Sequence, residues 1–75
     1  MANKGATYQD AMRLLGVSVT TEPAQIKRAY RRLLSRHHPD KVAGSGATEF
    51  QVREATERTR ELHNAYKLIR QRRDF

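Results

Sequence analysis

The sequence lacks several features on which other classes of protein depend. It contains no cysteine, so neither a disulfide bond nor a thiolate metal site can stabilise it. No apolar run approaches the ~20 residues of a membrane-spanning helix, and the N-terminus has no apolar segment of the secretory-signal kind. Glycine and proline number only four and two in 75 residues. These absences leave one small domain of helices and short loops, stabilised by an apolar core.

Acidic residues are also scarce. Fifteen lysines and arginines face eight aspartates and glutamates, which gives a formal net charge of +7. Such a charge favours an acidic partner, which could be a phosphate backbone, an anionic lipid surface or a carboxylate-rich protein. Composition alone does not choose among these partners.

Apolar periodicity predicts a short first helix. Residues 8–15 carry an apolar stripe at helical spacing. Thr7 is placed as its N-cap, and Gly16 stands where a left-handed C-terminal cap belongs.

A second, longer helix begins around Pro23, which a first helical turn tolerates. Thr21 and Glu22 are equally good candidates for its N-cap. The helix is predicted to end at His38, because a residue before proline is displaced from the α region. Its apolar arc consists of Ile26, Ala29, Tyr30, Leu33 and His37, with Leu34 at the edge.

A third helix follows residues 41–47, whose glycines predict a flexible loop. Thr48 and Gln51 form a capping-box pattern at its start, and it is predicted to run to about Arg73. Its apolar stripe consists of Val52, Ala55, Thr59, Leu62, Tyr66 and Ile69.

The predicted fold is all-α. We expect the second and third helices to form an antiparallel pair, with the first helix packed across its base. Residues 1–6 carry no pattern and are predicted to be a disordered lead-in or an expression remnant, which leaves residues 7–75 as the domain.

Five cations on the exposed sides of the second helix define what we call the basic face: Lys27, Arg28, Arg31, Arg32 and Arg36. At about 100° per residue, Lys27 and Arg31 share one flank with His38, and Tyr30 borders that flank. Cations often serve only to solvate an amphipathic helix. On this helix Glu22 is the only acid before Asp40, and arginines four residues apart repel one another. This pattern favours a basic face that meets an acidic surface.

The tripeptide His38-Pro39-Asp40 ends the basic helix. It could be a simple helix stop, because aspartate often makes a local hydrogen bond in the turn that follows. Its position between a basic helix and a glycine-bearing loop favours a functional role. An exposed carboxylate held in place by proline can accept a charge-assisted hydrogen bond from an arginine of a partner.

Three segments resemble the J domain, the module that gives DnaJ-type co-chaperones their name: LLGV at 14–17, IKRAYRRLLSRHHPDK at 26–41 and AYKLI at 65–69. The resemblance implies a J-domain fold and a protein that docks on a DnaK-class chaperone and stimulates its ATP hydrolysis. The chemistry would belong to the partner, so we expect no enzymatic activity and no cofactor in this chain. The implied contact residues are His38, Pro39, Asp40, Lys27, Tyr30, Arg31, Arg32 and Lys41.

The sequence departs from the J-domain pattern in three respects. The segment between His38-Pro39-Asp40, which we call the corner, and Leu62 is longer than in most J domains by about two helical turns. Thr59 replaces the usual phenylalanine, and no separate short fourth helix is recognisable. In its longer third helix and its shorter end the chain is similar to the C-terminal J domain of membrane-anchored DjlA-type proteins. This resemblance implies that the chain is a fragment and that the membrane anchor lies outside it. We expect a monomer, the default for this module, in the cytoplasm and, as a fragment of a DjlA-type protein, at the cytoplasmic face of the bacterial inner membrane.

The main alternative is a basic helical nucleic-acid-binding domain, since three helices with a charge of +7 resemble a homeodomain-like reader. The turn of that motif, roughly three to four residues long, is shorter than the glycine loop here, and the basic face lacks asparagine or glutamine base readers. A metal site from His37, His38, Asp40 and His63 is disfavoured, because adjacent histidines on a helix point about 100° apart. A membrane-surface role is disfavoured because the core needs the apolar face of the second helix.

Overall fold

The computed structural model describes residues 7–75, which form four α-helices joined by short connectors. In chain order the helices are α1 (Tyr8–Leu15), α2 (Pro23–His37), α3 (Pro39–Gly44) and α4 (Glu49–Arg73). No strand occurs in this described part of the chain, so the predicted all-α class is confirmed. The predicted lead-in at residues 1–6 lies outside the described residues.

Side-chain caps start α1 and α4 where the sequence predicts them. The Thr7 hydroxyl accepts a hydrogen bond from the Asp10 amide at 3.0 Å. At the start of α4 the Thr48 hydroxyl accepts from the Gln51 amide (3.1 Å), and the Gln51 side chain accepts from the Thr48 amide (2.9 Å). Gly16 ends α1 with φ of 72°, a left-handed conformation that favours glycine.

The long helices α2 and α4 form the predicted antiparallel pair. At one end of the pair, Nη2 of Arg73 donates a hydrogen bond to the Thr21 carbonyl at 2.8 Å. At the other end, the Thr59 hydroxyl donates to the His37 carbonyl at 3.3 Å. The beginning of α2 therefore lies beside the end of α4, and the end of α2 lies beside the middle of α4.

Apolar side chains from α1, α2 and α4 meet in one core. Ile26, Leu62 and Ile69 are its largest fully buried members. The remaining buried members of the core cluster are Ala11, Met12, Leu15 and Ala65. The short helix α3 packs against α4 but buries none of its side chains. The predicted apolar stripes are confirmed. Ile26, on the apolar face of α2, is fully buried in the core and so does not form an exposed membrane-binding face.

The prediction of a flexible loop at residues 41–47 is wrong for its first part, because α3 extends from Pro39 to Gly44. The glycines favour a loop, but a helix begins just before them. His38 caps α3, Pro39 occupies its first position and Asp40 its first turn, all of which favour a helix N-terminus. The true connector to α4 is residues 45–47, in which Gly46 has φ of 82°.

The boundaries of α2 and α4 agree closely with the predictions. The last residue of α2 is His37, one earlier than predicted, and His38 is extended with ψ of 131°, as a residue before proline should be. Glu22 is the N-cap, although its side chain makes no capping hydrogen bond. The helix α4 continues to Arg73 as one element, and no separate short helix follows it in the described residues, as predicted.

Candidate partner-binding surface

The His-Pro-Asp corner joins α2 to α3 and is ordered by hydrogen bonds within itself. The Nδ1 atom of His38 accepts a hydrogen bond from the Asp40 amide at 3.2 Å, which requires that nitrogen to carry no proton. The His38 carbonyl accepts from the amides of Lys41 and Val42, both at 3.1 Å. Pro39 fixes φ at the first position of α3. His38 therefore ends one helix and caps the next, and the corner is a defined turn.

The Asp40 carboxylate points into solvent, with 95% of its side chain exposed. One carboxylate oxygen lies 4.0 Å from Nδ1 of His38. That nitrogen accepts the hydrogen bond from the Asp40 amide and therefore has no proton to share with the carboxylate in this arrangement. Asp40 presents a negative charge at the tip of the corner, where a cation of another molecule can reach it.

The basic face is exposed along α2 and is not neutralised by other residues in the described part of the chain. The arginine–carboxylate pairs within residues 7–75 are Arg13–Asp10, Arg58–Glu61 and Arg60–Glu57. None of them involves α2. Five like charges on one helix raise the positive potential on that side of the molecule, which attracts an acidic surface. Which of the five cations touch a partner remains a prediction.

Lys41 belongs to α3 and lies at the junction between the basic face and the corner. Its Nζ donates a hydrogen bond to the hydroxyl of Ser35, on the last turns of α2, at 3.4 Å. This contact holds the ammonium group of Lys41, a sixth cation, against the last turns of α2 beside the basic face. Lys41 is exposed, so its remaining N–H groups stay available to a partner.

Tyr30 links α2 to α4 as well as bordering the basic face. Its ring stacks on that of Tyr66, with centroids 4.0 Å apart and planes 10° apart. Its hydroxyl and Nδ1 of His63 form a hydrogen bond at 3.2 Å. Burial, and secondarily the neighbouring Tyr66, raise the pKa of Tyr30 above its ordinary value. The phenol is therefore protonated at neutral pH and donates when His63 carries its own proton on Nε2.

Sequence reasoning missed the residues of α4 that lie beside Tyr30. Lys67 and Arg70 line an open cleft together with Tyr30. Across the same region, Nζ of Lys27 lies 5.9 Å from the ring centroid of Phe75. Positive charge thus continues from α2 onto α4. Projection of one helix at a time cannot reveal this continuity. The signals in the sequence are Lys67 within the AYKLI segment and the basic run RQRR at 70–73.

The histidines do not form a common site. His63 is engaged by Tyr30, and His37 is half-buried at the end of α2. Within residues 7–75 the structure brings no three potential metal ligands together. No helix in that range is long and apolar enough to cross a membrane.

An exposed His-Pro-Asp corner at the end of a basic helix, carried on an antiparallel helical pair, is the arrangement that characterises J domains. The chain belongs to the DnaJ domain family, which matches residues 10–74. It is similar to the co-chaperone protein DjlA of Escherichia coli strain K12, with 42% identity over 74 residues, 99% of this chain and 27% of that protein. Over the same shares it is 40% identical to DjlA of Salmonella typhimurium. DjlA of Pasteurella multocida is 43% identical over 65 residues, 87% of this chain and 23% of that protein.

These similarities confirm the predicted resemblance to DjlA-type J domains. The chain spans 27% of the length of the Escherichia coli protein, so the likeness concerns one domain of a longer relative. No solved structure matches the chain.

Proposed function

We propose that this J domain docks on a DnaK-class chaperone through the basic face and the His-Pro-Asp corner, and that docking accelerates ATP hydrolysis by that chaperone. The hydrolysis traps a client protein in the partner and so assists protein folding. The proposed contact residues are the eight named from the sequence: Lys27, Tyr30, Arg31, Arg32, His38, Pro39, Asp40 and Lys41.

One observation carries the proposal. The corner holds Asp40 with its side chain 95% exposed, at the end of a helix whose five cations have no acidic partner in the described part of the chain. A domain that stood alone would gain stability by pairing these charges internally. Leaving both signs of charge accessible, and close together, suits a surface that is completed by another protein.

The two parts of the surface have different proposed roles. The basic face attracts an acidic region of the chaperone and sets the orientation of the encounter, a role in which charge acts mainly on the association rate and on specificity. The corner then places the Asp40 carboxylate against a cation of the partner, in a charge-assisted hydrogen bond. That bond favours the arrangement of the chaperone in which its own active site hydrolyses ATP. This domain acts as an activator, and the reacting groups belong to the partner.

The location proposed for the domain is the cytoplasm. If it works within a longer protein of the DjlA type, we propose that it lies at the cytoplasmic face of the bacterial inner membrane. Monomeric action is sufficient for the docking described above.

Steady-state ATP hydrolysis tests the proposal. The domain is titrated into several ATP-loaded DnaK-class chaperones, and phosphate release is followed at each concentration. We expect the rate to rise and saturate with at least one of them. His38→Gln removes the imidazole that caps α3, so it should leave the rate near that of the chaperone alone. A wild-type domain that stimulates none of the chaperones would contradict the proposed function.

The basic face gives a separate prediction for affinity. Reversing one charge with Arg31→Glu should raise the half-saturating concentration of the domain about tenfold at low salt, a change equivalent to about 1.4 kcal/mol of binding. The maximal rate should stay unchanged, since the corner is intact. Raising the salt should shrink the difference, because the Debye length falls from about 10 Å at 0.1 M to about 3 Å at 1 M.

Arg13→Glu is the matched control for Arg31→Glu. Arg13 is exposed on α1, outside the basic face, and the charge change is the same. Its half-saturating concentration should stay within about twofold of the wild type, since a charge outside the proposed contact acts only through the screened field. Equal shifts for the two variants would show that total charge, and not the basic face, governs binding.

A further inference from the structure

Thr59 makes an unusual hydrogen bond for a threonine in a helix. Its hydroxyl leaves its own helix and donates to the His37 carbonyl on α2 at 3.3 Å. Three residues earlier, the Thr56 hydroxyl behaves in the ordinary way and donates to the Val52 carbonyl of its own helix at 3.0 Å. The cross-helix bond of Thr59 therefore reflects the packing of α4 against the end of α2.

The carbonyl that Thr59 engages has no helical donor of its own. In a continuing helix the Lys41 amide would reach the His37 carbonyl, but that amide donates to the His38 carbonyl instead. The Asp40 amide, three residues after His37, donates to Nδ1 of His38, and Pro39 has no N–H to offer. The end of α2 thus leaves an orphan acceptor beside the corner, and a side chain from α4 satisfies it.

The same carbonyl is covalently part of the corner. The His37 carbonyl and the His38 amide belong to one planar peptide unit, so fixing the oxygen fixes the plane from which His38 departs. The backbone of His38 in turn places the imidazole that caps α3 through the Asp40 amide. A single hydroxyl on α4 is therefore linked, through one peptide plane, to the direction of the Asp40 carboxylate.

We propose that Thr59 is a positioning residue that holds the His38-Pro39-Asp40 corner in its docking geometry through its hydrogen bond to the His37 carbonyl. This inference rests on the proposed function for its effect on ATP hydrolysis. The effect of Thr59 on the order of the corner can be measured on the domain alone. Thr59 touches the corner and not the partner.

Thr59→Val tests the proposal because it keeps the shape of the side chain and removes the hydroxyl. Losing one hydrogen bond to a partly buried carbonyl should lower the maximal stimulated rate about three- to fivefold. The half-saturating concentration should change by less than about twofold, since the basic face is untouched. Thr59→Ser keeps the hydroxyl and should restore most of the maximal rate. Thr56→Val makes the same chemical change on the same helix and should leave both quantities at the wild-type values.

Amide hydrogen exchange of the free domain measures how well Thr59 holds the corner, without any chaperone. In Thr59→Val the Asp40 amide should exchange about three- to fivefold faster than in the wild type, and in Thr56→Val it should not. An unchanged Asp40 amide in Thr59→Val overturns the proposal. So does a variant whose half-saturating concentration rises at constant maximal rate, because Thr59 would then act as a contact residue. A wild-type domain that stimulates no chaperone would contradict the proposed function. In that case the exchange rate of the Asp40 amide still shows whether Thr59 holds the corner.

Discussion

Asp40→Asn should abolish stimulation of a DnaK-class chaperone while leaving the domain folded. The amide keeps the size and shape of the carboxylate, and the backbone amide of residue 40 still donates to His38. Only the charge is lost. A hydrogen bond to a charged group is worth about 1.5–3 kcal/mol, so the stimulated rate should fall about 10- to 100-fold, close to the rate of the chaperone alone.

The effect should fall on the maximal rate more than on affinity. The basic face remains intact in Asp40→Asn, so the variant should still bind and should compete with the wild-type domain for the chaperone. Phosphate release at saturating concentrations of the variant, together with a competition titration against the wild type, separates the two quantities. Binding lost in parallel with stimulation would mean that Asp40 is simply one more contact.

Asp74→Asn is the matched control for Asp40→Asn. Asp74 is exposed and caps α4, at the end of the helical pair opposite the corner. Asparagine tolerates the left-handed conformation with φ of 59° that Asp74 adopts. The control makes the same charge change and should stimulate like the wild type. If it lost stimulation as Asp40→Asn does, the net charge of the domain would explain both results, and the role of the corner would be refuted.

Leu62→Ala should have the largest effect on stability. Leu62 is 1% exposed and lies in the core cluster to which α1, α2 and α4 all contribute. Removing a buried leucine side chain to alanine costs about 2–5 kcal/mol. A chain of this size is stabilised by only about 4–11 kcal/mol, at 0.05–0.15 kcal/mol per residue. One substitution should therefore remove at least about a fifth of the free energy of unfolding.

Urea unfolding followed by circular dichroism measures this loss. Val19→Ala is the control, because Val19 is 64% exposed and its truncation should change the free energy of unfolding by less than about 0.5 kcal/mol. A loss below about 1 kcal/mol for Leu62→Ala would mean that the core is not closed around this side chain as described.

The sequence predicts most of this fold because its signals are local. The capping box at Thr48 and the glycine after α1 act on the nearest turn, and the apolar stripes place Ile26, Leu62 and Ile69 on the buried faces. The predicted elements lack α3 although its signals are local as well. The tripeptide ends α2, and its histidine, proline and aspartate also satisfy the requirements of a helix start.

The candidate site is predictable in part for the same reason. The exposed basic face and the Asp40 carboxylate follow from the periodicity of α2 and from the proline that ends it. Contacts between distant positions do not follow. The bond from Thr59 to the His37 carbonyl spans 22 residues, and that from Tyr30 to His63 spans 33. Each depends on how two helices are rotated against one another, which no single-helix pattern contains.

Amide spectra of the isotopically labelled domain, recorded with and without an ATP-loaded DnaK-class chaperone, test the central claim most directly. Docking through the basic face and the corner predicts that signals from exposed positions between Lys27 and Lys41 change, and that the signals of α1 do not. Raising the salt should weaken the changes along α2. Changes concentrated on α1, with the signals of Arg31 and Asp40 left in place, would contradict the account.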